Sequence, residues 1–357
     1  YLKLMNKYNV IGVMSGTSLD GIDVVYTKLS FKKKWFCKIL ACETFQYSEI
    51  WINKLIKAHT TKAREFIQLD HQYGNYVGEI INKFLKKNKI KKSDVDLISS
   101  HGHTIFHEPK NMITYQIGNG NQICAVTNIK TISDFRSLDV AFGGQGAPLV
   151  PMGDELLFKK YGGCLNLGGI ANISFNSNNQ RFAGDLNFAN MISNYLSKKI
   201  GHPYDKDGNL AQMGKLDESL ITKLENLSFY KKIFPKSLSI EDFNNWYKPI
   251  YKNSDSSIYD QLYTAGVHLS RTIRNTFQIN ENSELLITGG GAYNKFWIQK
   301  INELKIKTVV PEKNMIEFKE ALIFSLLGVL KIRNENNILS SVTGASKDLS
   351  AGVLFVP

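Results

Sequence analysis

Three glycine-rich turns carry the clearest chemical potential in this sequence. The first, residues 12–23, reads GVMSGTSLDGID. Gly16 and Gly21 let the backbone turn tightly and bring amide N–H groups close to a phosphate. Ser15, Thr17 and Ser18 add hydroxyl donors, and Asp20 and Asp23 could hold Mg2+ directly or through water. Standing alone, the same segment would be an ordinary type I′ hairpin with polar decoration. A second turn, residues 166–172, offers Gly168 and Gly169, and a third, residues 287–292, offers Gly289, Gly290 and Gly291 between a strand and a helix. A triple glycine there lets a flat base or ribose lie against the backbone, beside an electropositive helix start. Neither G-x-x-x-x-G-K-S/T nor a G-x-G-x-x-G after the first strand is present, which disfavours a P-loop NTPase and a dinucleotide dehydrogenase.

Other polar residues have two readings each. His101, His103 and His107 have an H-x-H spacing that could bind a transition metal, yet no fourth ligand is suggested, and hydrogen bonding at a strand end fits as well. Glu320, on an apolar helix expected over 318–331, either faces a ligand or is a solvated glutamate at a helix start. Asp205 and Asp207 read first as turn formers.

The turns need strands and helices to position them. Residues 8–14 and 21–29 read as two strands of a hairpin, with 36–44 continuing the meander. Apolar residues at three- and four-residue steps predict a helix over 61–87, and short strands follow at 96–99, 114–117 and 130–133. A helix over 151–160 leads to a second hairpin, 164–167 with 170–175, about 150 residues after the first. Helices over 187–200, 257–277, 294–304 and 318–331 then alternate with strands over 284–288 and 307–310, an α/β pattern. Two hairpin-and-helix units suggest two related lobes. Residues 227–255 show no period and read as an irregular insertion.

Composition narrows the class further. With 357 residues, 43% of them hydrophobic, the chain can bury a sizeable core, and disorder is not expected. The longest apolar run, 321–330, falls far short of the roughly 20 residues a membrane helix needs. Residues 1–10 show no signal-peptide pattern, and the four cysteines form no C-x-x-C pair, so a reducing cytoplasm fits best. The formal charge of +12 favours an anionic partner. Its clusters at 32–34 and 86–92 do not interleave aromatics, so nucleic acid is not expected.

Beyond these residues, the chain resembles the anhydro-N-acetylmuramic acid kinase family nearly end to end. The likeness rests on VIGVMSGTSLDGIDVV (10–25), SHGHTIFHEP (100–109), SDFRSLDVAFGGQGAPLVP (133–151), LNLGGIANIS (165–174), YDKDG (204–208), ITGGGAYN (287–294) and SVTGAS (341–346). It implies an α/β fold of the two-lobed, actin-like type, with ribonuclease H-like mixed sheets and an inter-lobe cleft. Lobe I would span 1–134, joined by 335–357, and lobe II 135–334. It further implies ATP-dependent opening of the 1,6-anhydro ring of an amino sugar with phosphorylation at O6, in peptidoglycan recycling, by an enzyme often dimeric.

By similarity, Gly16, Thr17, Ser18, Leu19, Asp20, Gly21, Ile22 and Asp23 bind phosphate. The family's Asp-Thr-Gly-Pro-Gly-Asn motif aligns with Asp185, Leu186, Asn187, Phe188, Ala189 and Asn190, which keeps the Asp and Asn but not the residues between. Asp185 would be the general base, or else a cap on the helix expected from Asn187. Ser15, His103, Arg136, Asn190 and Glu320 would line the sugar. Arg136 suits the sugar's lactyl carboxylate, although an ion pair with Asp134 or Asp139 is an equal reading. A kinase for another sugar, or a non-catalytic ATP-gated sugar sensor, are the alternative functions.

Overall fold

The hairpin around the first glycine turn forms as its alternating apolar residues require. In the computed structural model, which describes residues 6–178, 180–277 and 284–357, β1 (Lys7–Ser15) and β2 (Ile22–Phe31) pair antiparallel, with Val13 opposite Val24. Residues 1–5, part of the reading of the chain's start, lie outside the described residues. β3 (Trp35–Phe45) continues the meander, and β1 also pairs in parallel with β4 (Leu97–Glu108). β4 is far longer than the expected strand because its second half turns back onto β5 (Ile113–Ile117). β6 (Thr131–Ser133) lies parallel to β4 and antiparallel to the strand Val353–Phe355.

One face of this sheet is covered by the helix Ala63–Lys87. Its Tyr73, Val77, Ile81 and Phe84 are buried with Ile11, Val13, Ile22 and Val24 of the hairpin. Each such side chain contributes about 1.5–3 kcal/mol by leaving water. The helix Lys313–Ile332 is buried at every position from 321 to 330, the mark of a helix enclosed on all sides. It reaches β1 at Gly12, where an added Cβ would lie 2.1 Å from the Ala321 carbonyl oxygen and 2.2 Å from Ser325 Oγ. Gly12→Ala is therefore expected to cost about 1–3 kcal/mol, read as a lower urea midpoint.

Residues 158–317 build a second sheet from β7 (Gly163–Leu167), β8 (Ile170–Ser177), β9 (Gln180–Phe188), β10 (Leu285–Thr288) and β11 (Thr308–Val309). Its order is β11-β10-β7-β8-β9, with β7 antiparallel to β8 and parallel to β10. The first sheet contains the order β6-β4-β1-β2-β3 with the same strand directions. Both units thus repeat one ribonuclease H-like topology, and the fold is the actin-like α/β class expected.

Three expectations need correction. The compact units are 1–157 with 318–357, and 158–317, so residues 135–157 and 318–334 pack with the first unit and not the second. The reason is local: the loop after β6 is tied back by Asp139 to Thr343, and the Lys313–Ile332 helix packs on β1. β9 occupies residues expected to start a helix, and the helix begins only at Asn190. Residues 227–255 are not a loose insertion, since their short helical turns bury Phe229, Phe243, Tyr247 and Tyr251 in the second unit's core. No helix among the described residues is long and apolar enough to cross a membrane.

Candidate active site

In the first unit the β1–β2 turn presents backbone donors. Among the described residues, the amides of Gly16, Thr17 and Ser18 donate to nothing, while the Gly16 carbonyl accepts from Leu19 N–H at 3.4 Å. A run of free amides with Leu19 in the left-handed region, φ 61°, is an anion-binding concavity. Ser18 Oγ donates to Asp20 Oδ1 at 2.8 Å, and Thr44 Oγ1 donates to Asp23 Oδ1 at 2.5 Å. Thr17, Ser18 and Asp20 are exposed, but Ile22 is buried, so only its backbone can meet a ligand. Gly21 is glycine for packing, because a Cβ there would lie 2.7 Å from the Phe45 carbonyl oxygen.

Ser15 and His103 sit beneath this turn. Ser15 Oγ bonds Tyr47 OH (2.6 Å), His103 Nδ1 (2.8 Å) and Tyr73 OH (3.0 Å), which uses the one donor and two acceptor positions of a hydroxyl. Both residues are buried, and these hydrogen bonds fix the two side chains expected at the sugar. Burial lowers the His103 pKa to about 4, keeping the ring neutral. Tyr47 and Tyr73, themselves hydrogen-bonded, escaped the sequence reading because aromatic residues at helical or strand spacing look like plain core.

Arg136 is the centre of a second cluster in the same unit. Its Nε donates to His101 Nε2 at 2.9 Å and its Nη1 to the Gly146 carbonyl at 2.5 Å. An arginine can only donate, so His101 is neutral with its proton on Nδ1, which donates to the Gly102 carbonyl at 2.9 Å. Burial, with Arg136 beside it, holds His101 well below its ordinary pKa. Asp139 does not pair with Arg136. It accepts from Gly146 N–H (2.6 Å) and Thr343 Oγ1 (2.7 Å), and Asp134 accepts from Ser137 N–H. The ion-pair reading of Arg136 therefore fails: no carboxylate lies within hydrogen-bond reach among the described residues, and Nη2 keeps its donors. Burial draws the guanidinium pKa down to about 10 against the opposing fields of Glu320 and Asp139.

Glu320 is solvent-accessible and lies two turns into its helix, which rules out the helix-start reading. Crowding by protein raises its pKa, opposed by Lys319 and Arg136. Neighbouring Lys319 is committed to Asp154 at 2.7 Å. His107 bonds Thr114 Oγ1 at 3.1 Å, so the three histidines have three separate hydrogen-bonded duties. Among the described residues no three His, Cys, Asp or Glu side chains form a metal cluster.

In the second unit Asp185 stands near the end of β9, not at a helix cap. A bulge pairs Asn187 with Ala171 but Asp185 with Asn172. Ala171 and Asn172 are neighbours on β8 and face opposite ways, so the bulge turns Asp185 away from the face where Asn187 meets His268. Segment 236–238 then grips it: Asp185 N–H donates to the Lys236 carbonyl, and Leu238 N–H donates to Asp185 Oδ2, both at 2.8 Å. Burial raises the Asp185 pKa to about 6, and the Leu238 hydrogen bond partly offsets it. A half-buried carboxylate of that pKa is ionised at neutral pH and is a stronger base than an ordinary aspartate.

Leu186, Asn187, Phe188 and Ala189, the four residues that depart from the family motif, are all buried. Their side chains belong to the core, and Asp185, just before them on β9, is half-buried. Asn190 opens the next helix and ties the second glycine turn: its N–H donates to the Gly168 carbonyl (3.1 Å) and its Nδ2 to the Leu167 carbonyl (3.1 Å). The Gly169 carbonyl accepts from Ala189 and Met191, while the Gly168 and Gly169 amides donate to nothing among the described residues. In the third turn only Gly290 is open, its nearest neighbour being Asn190 Nδ2 at 3.7 Å from an added Cβ. Gly289 and Gly291 are glycines because β7 packs against them, with Asn166 Oδ1 at 2.4 Å and Leu167 Cβ at 2.6 Å from the added atoms. Asp205 caps residues 210 and 211, and Asp207 takes a left-handed turn conformation, as turn formers do.

A duplicated ribonuclease H-like sheet, with a free-amide turn in each unit and an activated carboxylate in the second, defines a phosphotransferase of the actin-like class. The chain belongs to the anhydro-N-acetylmuramic acid kinase family, whose model matches residues 8–357. The kinase of that name from Mannheimia succiniciproducens is 33% identical over 377 aligned positions, covering 98% of this chain and 100% of its own. That from Vibrio parahaemolyticus is 33% identical, covering 97% of each. An activator of 2-hydroxyisocaproyl-CoA dehydratase from Clostridium difficile, solved with bound ADPNP, aligns at TM-score 0.46 and 13% identity over 91% of this chain and 96% of its own. The fold assignment rests on strand order, not on that alignment.

Proposed function

We propose that this chain uses ATP and one water to open the 1,6-anhydro ring of 1,6-anhydro-N-acetylmuramic acid and phosphorylate O6, giving N-acetylmuramic acid 6-phosphate. The observation that carries it is the carboxylate of Asp185, turned out by the β9 bulge and held by Leu238 N–H. Asp185 takes a proton from the water that attacks C1. The C1–O6 bond breaks, its electron pair goes to O6, and O6 takes the γ-phosphoryl group as ADP leaves. The sum is sugar plus ATP plus water to sugar 6-phosphate plus ADP plus a proton.

The free amides of residues 16–18, and those of Gly168 and Gly169, receive phosphate oxygens, and Gly290 gives the adenosine an unobstructed backbone. Asp20 and Asp23 would hold Mg2+, which takes one or two carboxylates and keeps water and phosphate as its other ligands. Exposed Asp20 beside the turn amides fits that demand. When bound, the metal would neutralise charge on the phosphates. Arg136 takes the lactyl carboxylate on Nη2, with His101 and Gly146 fixing its plane, and Glu320 and Asn190 complete the sugar's contacts. The reaction belongs to cytoplasmic peptidoglycan recycling, by a homodimer whose mass sedimentation would report.

Because the base must be ionised, kcat/KM should fall about tenfold per pH unit below about 6, the Asp185 value, and level off above it. A flat profile down to pH 5 would remove Asp185 as the base. Mass spectrometry of the product from ATP and the anhydro sugar tests the reading as a whole: a gain of both water and phosphate supports it. Phosphate without water favours simple transfer to a hydroxyl, and sugar-independent ADP release favours a sensor.

A further inference from the structure

A cavity of about 510 Å³ lies in the second unit between segment 230–236 and the helix Ile258–Thr276. Its walls include Phe175, Tyr230 and Phe234, and its cations are Lys232, Lys236 and Arg271. A neighbouring cavity of about 570 Å³ opens onto the same two lysines. The volumes fall in the range of small-molecule sites.

The lysines are placed without counter-ions. Neither Lys232 nor Lys236 has a carboxylate within ion-pair distance among the described residues. Aromatic faces hold them instead: Lys236 Nζ lies 4.6 Å from the Phe229 ring centre and 5.3 Å from Phe234, and Lys232 Nζ lies 5.8 Å from Trp246. Burial and the charge of Lys232 both lower the Lys236 pKa, as for a cation awaiting an anion. Arg271 is partly neutralised by Glu225, another residue of the cavity wall, to which its Nη1 donates at 3.0 Å. Two ammonium point charges remain, which suit a compact dianion. His268, which also lines the cavity, is buried and neutral, and it bonds Asn187 within the protein.

We infer that this cavity binds a small phosphomonoester, its phosphate on Lys232 and Lys236 and its body against Phe175, Tyr230 and Phe234. The site has a path to the chemistry, a link that rests on the function proposed above. Lys236 lines the cavity with its side chain, while its carbonyl accepts from Asp185 N–H and, two residues on, Leu238 N–H holds the Asp185 carboxylate. A ligand that fixes the Lys236 side chain tightens the segment that positions the base. The product of the proposed reaction is itself a phosphomonoester, so the site fits feedback.

The test is calorimetric titration of the ADP-saturated full chain with phenyl phosphate, inorganic phosphate and benzoate. Phenyl phosphate should bind, with benzoate and inorganic phosphate each at least about tenfold weaker. The Lys232→Gln/Lys236→Gln variant should lose at least about tenfold, while Lys57→Gln, a charge control at an exposed position of the helix Glu49–Lys57 in the first unit, should match the parent. Exchange of the Leu238 amide should slow with ligand in the parent alone. Equal binding by the double variant and the parent, equal binding of benzoate, or no binding by the parent overturns the site. Unchanged Leu238 exchange overturns the link to Asp185. Binding is read without turnover, so the cavity is tested even in a chain that fails to phosphorylate the anhydro sugar.

Discussion

Asp185→Asn is expected to lower kcat by about 10²–10⁴-fold while leaving ADP affinity unchanged. Asparagine matches aspartate in shape, and its Oδ1 can still accept the Leu238 N–H that now fixes the carboxylate at 2.8 Å. The substitution removes only the ability to take a proton from water. Steady-state turnover paired with calorimetric titration of ADP separates these effects. Full activity would take the base role from Asp185, and loss of ADP binding would show that the variant disturbs the fold near Gly168 and Gly169.

Arg136→Lys should lower kcat/KM for the anhydro sugar by roughly 10- to 100-fold, mostly through KM, since a charge-assisted hydrogen bond contributes about 1.5–3 kcal/mol. Lysine keeps the charge but cannot at once meet His101 Nε2, the Gly146 carbonyl and a carboxylate, as the guanidinium geometry allows. A sugar analogue lacking the lactyl carboxylate supplies the second axis of the comparison. It should be a poor substrate for the parent and lose little more in the variant. Equal losses on both sugars would mean that Arg136 maintains the loop around Gly146 and does not read the carboxylate.

Much of the scaffold was legible because its patterns are local. The two hairpins show alternating apolar residues around glycine turns, and the helix Ala63–Lys87 shows a long run at three- and four-residue steps. β9 was hidden because its bulge interrupts the alternation around Leu186, so that its end resembled the helix that follows. Segment 227–255 was opaque for a related reason: it reaches the core through short turns, no one of which lasts long enough to display a period.

The site was legible in its residue types more than in their duties. Nothing in the sequence says that Ser15 would be enclosed by Tyr47, Tyr73 and His103, because those partners lie 32, 58 and 88 residues away. The triple glycine looked like a single ligand surface, yet two of its members yield to β7 and one stays open. Arg136 could be picked out as a carboxylate reader, but its freedom from Asp139 depends on that aspartate being taken by Gly146 and Thr343. Such competition for partners is settled only in three dimensions.

The most direct measurement is turnover of the anhydro sugar with ATP in water enriched in 18O, with the label located by fragment masses. One labelled oxygen at C1 of the sugar 6-phosphate and none in its phosphate is the predicted result, since water attacks carbon and the anhydro-bridge oxygen O6 takes the phosphoryl group. Product free of label, or label appearing in the phosphate, would contradict an Asp185-driven attack at C1.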